Sequence, residues 1–184
     1  GKLQVLGKDV LEQDEKGLNE LRKKVGFLFQ SGALYDSMTV RENLEFPVRR
    51  QLNSRSKEDI TKLVLEALEN VGLADAIDKM PSELSGGMRK RISLARTLIL
   101  KPELMLYDEP TTGLDTITSK EISKLILNIQ KKYQTSSIII THDMECARIV
   151  ADRVIILKDG KVIGEGTYDE LKNSGDEEIN SFFV

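Results

Sequence analysis

Short apolar runs alternate with helical-period segments in the second half of the chain, and this pattern restricts the fold most. Predicted strands and helices follow one another at 104–108, 119–132, 137–141, 144–150 and a hairpin formed by 154–157 and 161–164, and a polar C-terminal helix starts at Asp169. The runs are nearly continuous in apolar residues, which is typical of parallel strands buried on both faces. The sequence therefore predicts an α/β fold with a mostly parallel sheet covered by helices on both faces.

The first half predicts a strand and then a mostly helical stretch. The run 25–29 is compact and apolar without a helical period, which predicts a buried strand. Ser56 is a candidate N-cap with Asp59 three residues on, and the apolar spacing that follows stops at Gly72. We therefore expect a single domain spanning residues 1–184, with 1–30 and 101–184 as the α/β core and 31–100 as an inserted helical subdomain.

Composition excludes several classes of protein. The chain has 27 Lys and Arg against 30 Asp and Glu, which gives a net charge of −3. It therefore lacks the basic excess that would predict nucleic acid as a partner. Its one cysteine, Cys146, excludes an internal disulfide and is expected to be a small buried residue. No apolar run approaches the roughly 18 residues of a membrane-spanning helix. We expect a cytosolic protein, or one that is peripheral to a membrane through a partner.

The segment Leu84-Ser85-Gly86-Gly87-Met88 is the strongest local signal. A serine and two glycines at a predicted helix start expose backbone N–H groups, and the helix dipole there favours an anion such as phosphate. The alternative is an ordinary helix cap with a flexible approach.

Two adjacent carboxylates, Asp108 and Glu109, end the predicted strand 104–108. Open α/β sheets bind ligands at the carboxyl ends of their strands, and neighbouring side chains there point in different directions. One carboxylate can hold Mg²⁺, usually through water, while the next faces an attacking water molecule. The alternative is a solvated strand end.

Three further polar residues follow predicted strands or turns. His142, the only histidine, follows the apolar run ending at Thr141, so it can reach the cleft of Glu109. Gln30 ends the strand 25–29 and offers an amide to water or to a metal-bound ligand. Asp115 lies in a turn shortly after Glu109. A single histidine such as His142 is usually a structural or an exposed side chain, and the alternative for Asp115 is a helix N-cap.

In chain order these segments resemble the ABC ATPase family over nearly the whole chain. The resemblance implies a P-loop NTPase fold, ATP with Mg²⁺ as ligands, and a homodimer that joins transmembrane permease subunits. It also implies a role for each residue: Gln30 as the Q-loop glutamine that senses Mg²⁺, Ser85, Gly86, Gly87 and Met88 with Leu84 as the signature loop, Asp108 as the Mg²⁺ aspartate, Glu109 as the catalytic base, Asp115 as the D-loop aspartate and His142 as the switch histidine.

Two departures from the family pattern stand out. Met88 replaces the usual glutamine of the signature loop. No Gly-Lys pair of the chain, at Gly1-Lys2, Gly7-Lys8 or Gly160-Lys161, completes the G-x-x-x-x-G-K-[S/T] loop that cradles phosphate. In the family that loop lies N-terminal to the first residue here, so we expect an N-terminally truncated domain that is inactive by itself. The 184-residue chain alone is expected to bind Mg²⁺-ATP weakly or not at all, which isothermal titration measures.

The segments 29–35 and 80–88 also resemble the ATPases of MCE-linked (Mla-type) bacterial lipid transporters, where methionine at the position of Met88 is ordinary. This resemblance implies ATP hydrolysis that powers lipid transport across the cell envelope, with the subunit held on the inner face of the membrane by its permease. Two alternatives remain, a non-transport ABC ATPase that works on nucleic acid or in translation, and a scaffold that binds no nucleotide.

Overall fold

The computed structural model describes residues 1–51 and 55–183. Residues 52–54, inside the predicted helical subdomain 31–100, and Val184, the last residue of the predicted domain, lie outside the described residues. The strands are β1 Gln4–Val5, β2 Lys8–Asp9, β3 Val25–Leu28, β4 Leu104–Asp108, β5 Ser136–Ile140, β6 Val154–Lys158 and β7 Lys161–Gly166. The α-helices are α1 Glu15–Lys23, α2 Val40–Gln51, α3 Lys57–Asn70, α4 Gly86–Leu98, α5 Thr116–Tyr133, α6 Met144–Val150, α7 Tyr168–Lys172 and α8 Glu177–Asn180. Single 3₁₀ turns occupy Ala74–Ala76, Pro81–Glu83 and Ser181–Phe183.

The central sheet contains β3, β4 and β5 in that order, and both strand pairs are parallel. Leu104 of β4 lies opposite Val25 on one side and Ser136 on the other, so the three strands run in near register. Parallel strands in register end at the same edge. The loops that follow β3, β4 and β5 therefore meet there, as the sequence predicted.

One face of the central sheet is covered and the other is not. Leu28, Met105 and Tyr107 on the covered face share a core with apolar residues of α4, α5 and α6, and Cys146 is buried in the same core. On the opposite face, apolar side chains are 42% to 58% exposed, namely Phe27, Phe29, Ile138 and Ile140. The expectation of a sheet covered on both faces is wrong for the described residues, because the helices that share this core lie on one face.

A second core lies among the helices α2, α3 and α4. It contains Val40, Leu44, Val64, Leu68 and Ile92, all 4% exposed or less. Helix α4 belongs to both cores, because Ile92 and Ala95 face the helical cluster while Leu94 and Leu98 face the sheet. The helix that starts near Gly86 is therefore packed between the helical cluster and the sheet. The boundaries of the helical subdomain at residues 31 and 100 remain a prediction.

Helix boundaries follow the capping residues. The Ser56 hydroxyl accepts the Asp59 N–H, and Gly72 after α3 has a left-handed φ of +69°, as the predicted start and stop require. Helix α5 starts at Thr116, three residues before the predicted 119, because the Asp115 carboxylate caps it through the N–H groups of Ile117 and Thr118.

The predicted hairpin is formed by β6 and β7, which pair antiparallel. It packs with the C-terminal helices α7 and α8 through Ile156, Leu171 and Ile179. Within residues 1–51 and 55–183, every helix is too short or too polar to cross a bilayer.

Candidate active site

The carboxyl edge of the central sheet brings together three predicted residues. Gln30 follows β3, Glu109 follows β4, and His142 lies two residues after β5. The Glu109 N–H donates to the carbonyl of Ile140 at 2.9 Å, so the ends of β4 and β5 are joined through the backbone of Glu109. The sheet register thus places the predicted base beside the predicted switch histidine.

Glu109 has a left-handed backbone with φ of +47°, a conformation that costs a non-glycine residue about 1–2 kcal/mol. Its carboxylate is oriented by three neighbours. Oε1 lies 2.8 Å from Nδ1 of His142. Oε2 accepts from the hydroxyls of Thr112 at 3.1 Å and Thr141 at 3.3 Å. This carboxylate therefore has a defined position, and its turned backbone carries it towards the end of β5.

The His142 ring is 80% exposed and touches Glu109 through Nδ1. The hydrogen bond from Glu109 and its negative charge, with a smaller contribution from Asp143, raise the pKa of His142 above 6.5. When the ring is neutral, a proton on Nδ1 donates to Glu109 and leaves Nε2 as an acceptor. When the ring is protonated, Nε2–H becomes a donor for an anion.

Asp108 and Gln30 are the predicted metal residues. Asp108 ends β4 and is partly buried, while Gln30 is exposed. Carboxylate and amide oxygens are ligands that Mg²⁺ accepts, so the donor set fits that ion. In the described ranges, no group of three or more His, Cys, Asp or Glu side chains is arranged to hold a metal. Two protein ligands fit Mg²⁺ only when water and phosphate oxygens complete its shell.

The start of α4 is an open helix end. Ser85 and Gly86 are exposed, and the Ser85 hydroxyl accepts the N–H of Met88 at 3.2 Å. Glycine here also has a packing reason that the sequence interpretation missed. A Cβ on Gly87 would lie 2.7 Å from Cγ2 of Thr118, so glycine lets α4 approach the start of α5.

Asp115 is the N-cap of α5, which was the alternative interpretation. Its carboxylate accepts the N–H groups of Ile117 and Thr118, each at 3.0 Å, and the Thr118 hydroxyl at 2.6 Å. The bonds from Thr118 lower the pKa of Asp115. Among the described residues, no hydrogen bond joins the side chain of Ser85 or Asp115 to Glu109 or His142. The signature loop and Asp115 thus form a second region, near α5, while Glu109 and His142 form the first.

A cleft of about 370 Å³ opens beside His142, between the first half of α5 and the start of α6. Its lining includes Thr111, Gly113, Ser119 and Asp143. Thr111 donates its hydroxyl to Asp143 at 2.8 Å, which joins the loop after β4 to the start of α6. The cleft therefore connects His142 with the loop that carries Asp115.

Sequence reasoning missed Thr112, Thr141 and Lys90. The two threonines bind the Glu109 carboxylate, and Lys90 donates to the backbone carbonyls of Gln30 and Glu109. A signal for Lys90 existed, since it lies four residues before Leu94 and shares the face of α4 that packs on the sheet. A lysine on such a face needs buried acceptors.

Comparisons with known sequences agree on one protein family. A family profile described as ABC transporter matches residues 1–112. Over 176 residues the chain is 41% identical to the intermembrane phospholipid transport system ATP-binding protein MlaF of Haemophilus influenzae, covering 96% of this chain and 66% of that protein. It is 37% identical to the methionine import ATP-binding protein MetN 1 of Staphylococcus aureus, covering 93% of this chain and 50% of that protein. It is also 37% identical to the probable ribonucleotide transport ATP-binding protein mkl of Mycobacterium leprae, covering 99% of this chain and 52% of that protein. The chain thus spans half to two thirds of the length of these relatives.

Solved structures give the same fold. The dimeric post-hydrolysis structure of the ATP-binding cassette MJ0796, bound to ADP and Pi, is 32% identical with a TM-score of 0.81, covering 91% of this chain and 73% of that chain. The cbiO1 protein of Clostridium perfringens, part of the ABC transporter complex cbiONQ, is 32% identical with a TM-score of 0.83, covering 97% and 70%.

Proposed function

Because this chain belongs to the ABC transporter family, we propose that it forms the part of an ATPase subunit that hydrolyses ATP to drive lipid transport across the bacterial cell envelope. The predicted P-loop NTPase fold with a parallel sheet is confirmed. The hydrolytic part of the proposal rests on one observation above all. Glu109, at the end of the middle strand, is held in a left-handed turn with its carboxylate 2.8 Å from His142.

We assign a role in ATP hydrolysis to each predicted residue at the carboxyl edge of the central sheet. Bound Mg²⁺-ATP supplies the γ-phosphoryl group, and the metal offsets its charge. The Glu109 carboxylate orients the attacking water and takes its proton. His142 steadies Glu109 through Nδ1 and offers Nε2 to a γ-phosphate oxygen. Asp108 and the Gln30 amide would hold the metal, directly or through water.

The signature loop serves a second copy of the chain in this proposal. Ser85 and Gly86 are exposed at the start of α4, and no side chain of that loop is hydrogen-bonded to Glu109 or His142 within the described ranges. The open N–H groups at this helix start favour phosphate. A homodimer lets them close, with Gly87 and Met88, on the nucleotide held by the partner copy, while Asp115 shapes the adjoining loop. We assign residues 31–100 to the helical subdomain that carries this loop.

The lipid assignment rests on the similarity to MlaF and on the segments 29–35 and 80–88. The relatives named for methionine import and ribonucleotide transport are only slightly less identical, so the cargo needs its own test. We place the subunit on the cytoplasmic face of the membrane, bound to transmembrane permease subunits, with Gln30 relaying the state of the metal to them. The net charge of −3 favours transport over a nucleic-acid function.

Phosphate release from Mg²⁺-ATP by the whole subunit tests the hydrolytic part. The variant Gly86→Asp tests the dimer, because a carboxylate at the helix start repels phosphate. We expect it to abolish ATP-driven dimerisation in light scattering while a monomer still binds ATP. Asn19→Asp, on the exposed face of α1, adds the same charge as a matched control. Loss of ATP binding by the Gly86→Asp monomer would instead mean that the loop serves its own nucleotide.

Transfer of a labelled phospholipid between vesicles, by the subunit reconstituted with its permease, tests the cargo. The expected result is transfer that requires ATP and stops with Glu109→Gln. ATP-driven methionine uptake without phospholipid transfer would contradict the lipid assignment and leave the ATPase assignment standing.

A further inference from the structure

Lys90 is a buried cation that joins two of the loops of the active site. Its side chain belongs to the second turn of α4, and the residue is only 8% exposed. The Nζ atom donates to the backbone carbonyl of Gln30 at 2.5 Å and to that of Glu109 at 3.2 Å. One ammonium group therefore contacts the loop after β3 and the loop after β4.

Packing alone does not explain a lysine at this position. Leu94 and Leu98, one and two turns further along α4, fill the same face with apolar side chains. A buried ammonium group is costly unless it is hydrogen-bonded and lies near negative charge. Burial lowers the pKa of Lys90, and the nearby charges of Asp108 and Glu109 act in the opposite direction. The cation is thus compensated by the groups that the site brings together.

The contact with Glu109 is made to a strained residue. Glu109 has φ of +47°, and its N–H donates to Ile140 at 2.9 Å. Its carbonyl accepts from Lys90 and also from the N–H of Thr112 at 3.3 Å. Both backbone polar groups of Glu109 are therefore held in place, and of the two donors to its carbonyl, Lys90 is the one that comes from another element of the fold.

We propose that Lys90 is a positioning residue, which acts through Glu109 by tying the backbone carbonyls of Gln30 and Glu109 to the helix that starts at the signature loop. This inference rests on the proposed ATPase function. It joins three separate regions: the Gln30 loop, the base, and the helix start at Ser85.

Kinetics of the whole subunit test the proposal with Lys90→Met, which keeps the length of the side chain and removes its charge and donors. The expected result is a fall in kcat of roughly 10- to 100-fold, the scale of a misplaced catalytic group, with little change in KM for ATP. Lys90→Arg, which keeps a cation and N–H donors, should recover most of the lost kcat. Lys124→Met, on the exposed face of α5, is the control for losing one lysine and should behave as the unaltered subunit.

A double-mutant cycle separates positioning from simple destabilisation. If Lys90 acts through Glu109, Lys90→Met should add almost nothing to the loss already caused by Glu109→Gln. The proposal would be overturned if the losses in kcat multiply in the double variant. It would also be overturned if Lys90→Arg does not recover kcat.

Hydrogen exchange supplies a readout that does not depend on turnover. In Lys90→Met, amides of residues 29–32 and 108–112 should exchange faster, while those of β1, β2 and the β6–β7 hairpin should not change. Unchanged amide exchange in both loops would show that Lys90 does not hold them together and would overturn the proposal. A subunit that hydrolyses no ATP would refute the proposed function, and the exchange result would still decide whether Lys90 holds the two loops together.

Discussion

Replacing Glu109 by glutamine separates its chemical role from its structural one. The glutamine side chain has the same number of heavy atoms, so its amide oxygen can keep the hydroxyl bonds from Thr112 and Thr141. Its amide nitrogen then faces Nδ1 of His142, which can accept in its neutral form. The variant therefore loses the negative charge and the basic oxygen but keeps most of the local contacts.

The two expected magnitudes differ widely. The pair with His142 is partly exposed to solvent, since the histidine side chain is 80% exposed, and such pairs contribute about 0–1 kcal/mol to the free energy of unfolding. Loss of a general base lowers turnover about 10²–10⁴-fold, which corresponds to about 3–5 kcal/mol on the activation barrier. Turnover should therefore fall far more than stability.

Single-turnover phosphate release, ATP binding by titration and the thermal midpoint, all measured on the whole subunit, test this prediction together. We expect Glu109→Gln to bind ATP, to unfold within a few degrees of the unaltered protein and to lose most of its turnover. Asp115→Asn is a useful comparison because it changes a carboxylate that caps α5 without contacting the base. Hydrolysis by Glu109→Gln at close to the unaltered rate would remove Glu109 from the mechanism.

Further predictions concern His142 and the packing at Gly87. His142→Ala should lower turnover strongly with little change in the thermal midpoint, because the ring is exposed; easy unfolding with normal hydrolysis would favour a structural role. His142 is the only histidine, so its ring proton in NMR reports a pKa that should lie above 6.5 and fall when Glu109 becomes glutamine. Because the folded pKa is raised, the pair's contribution to stability should be present below about pH 6.5 and disappear as the pH rises through the folded value, and an identical pKa in both proteins would contradict the contact. Gly87→Ala should destabilise by about 1–3 kcal/mol, since its Cβ would lie 2.7 Å from Thr118, and Thr118→Ser should relieve this in a denaturation experiment. Gly86→Ala, whose Cβ would lie 3.5 Å from the nearest atom, is the matched control.

The sequence predicted the central strands and their common edge well because the signals are local. Apolar runs predicted the bounds of β3, β4 and β5 to within one residue. Since parallel strands end at the same edge, the residues after them had to be neighbours, and Glu109 and His142 are. The role of each residue in catalysis stays a prediction.

Other features could not be predicted because they depend on tertiary contacts. Helix α2 contains Pro47, which normally ends a helix, so its bounds within the predicted helical stretch could not be predicted. The same helix buries Asn43, whose amide accepts the Tyr35 N–H and donates to the carbonyls of Tyr35, Met38 and Thr39. These partners lie four to eight residues before Asn43, in the loop that leads into α2, so the bonds depend on the path of that loop, for which the sequence has no pattern. The uncovered face of the sheet was also missed, because apolarity shows that a face can be buried but not which element covers it.

The left-handed turn at Glu109 explains how two adjacent acids can take the different tasks that we propose for them. Asp108 still belongs to β4 and pairs with Ile140, whereas Glu109 leaves the strand at φ of +47°. The turn allows its carboxylate to reach Thr141 and His142 beyond the end of β5. The backbone cost is about 1–2 kcal/mol, which is smaller than the roughly 3–5 kcal/mol that a positioned base removes from the barrier. The contacts from Ile140, Thr112 and Lys90 hold the backbone of Glu109 in this conformation, so we expect the loss of a supporting contact to lower turnover, but by less than the loss of the base itself.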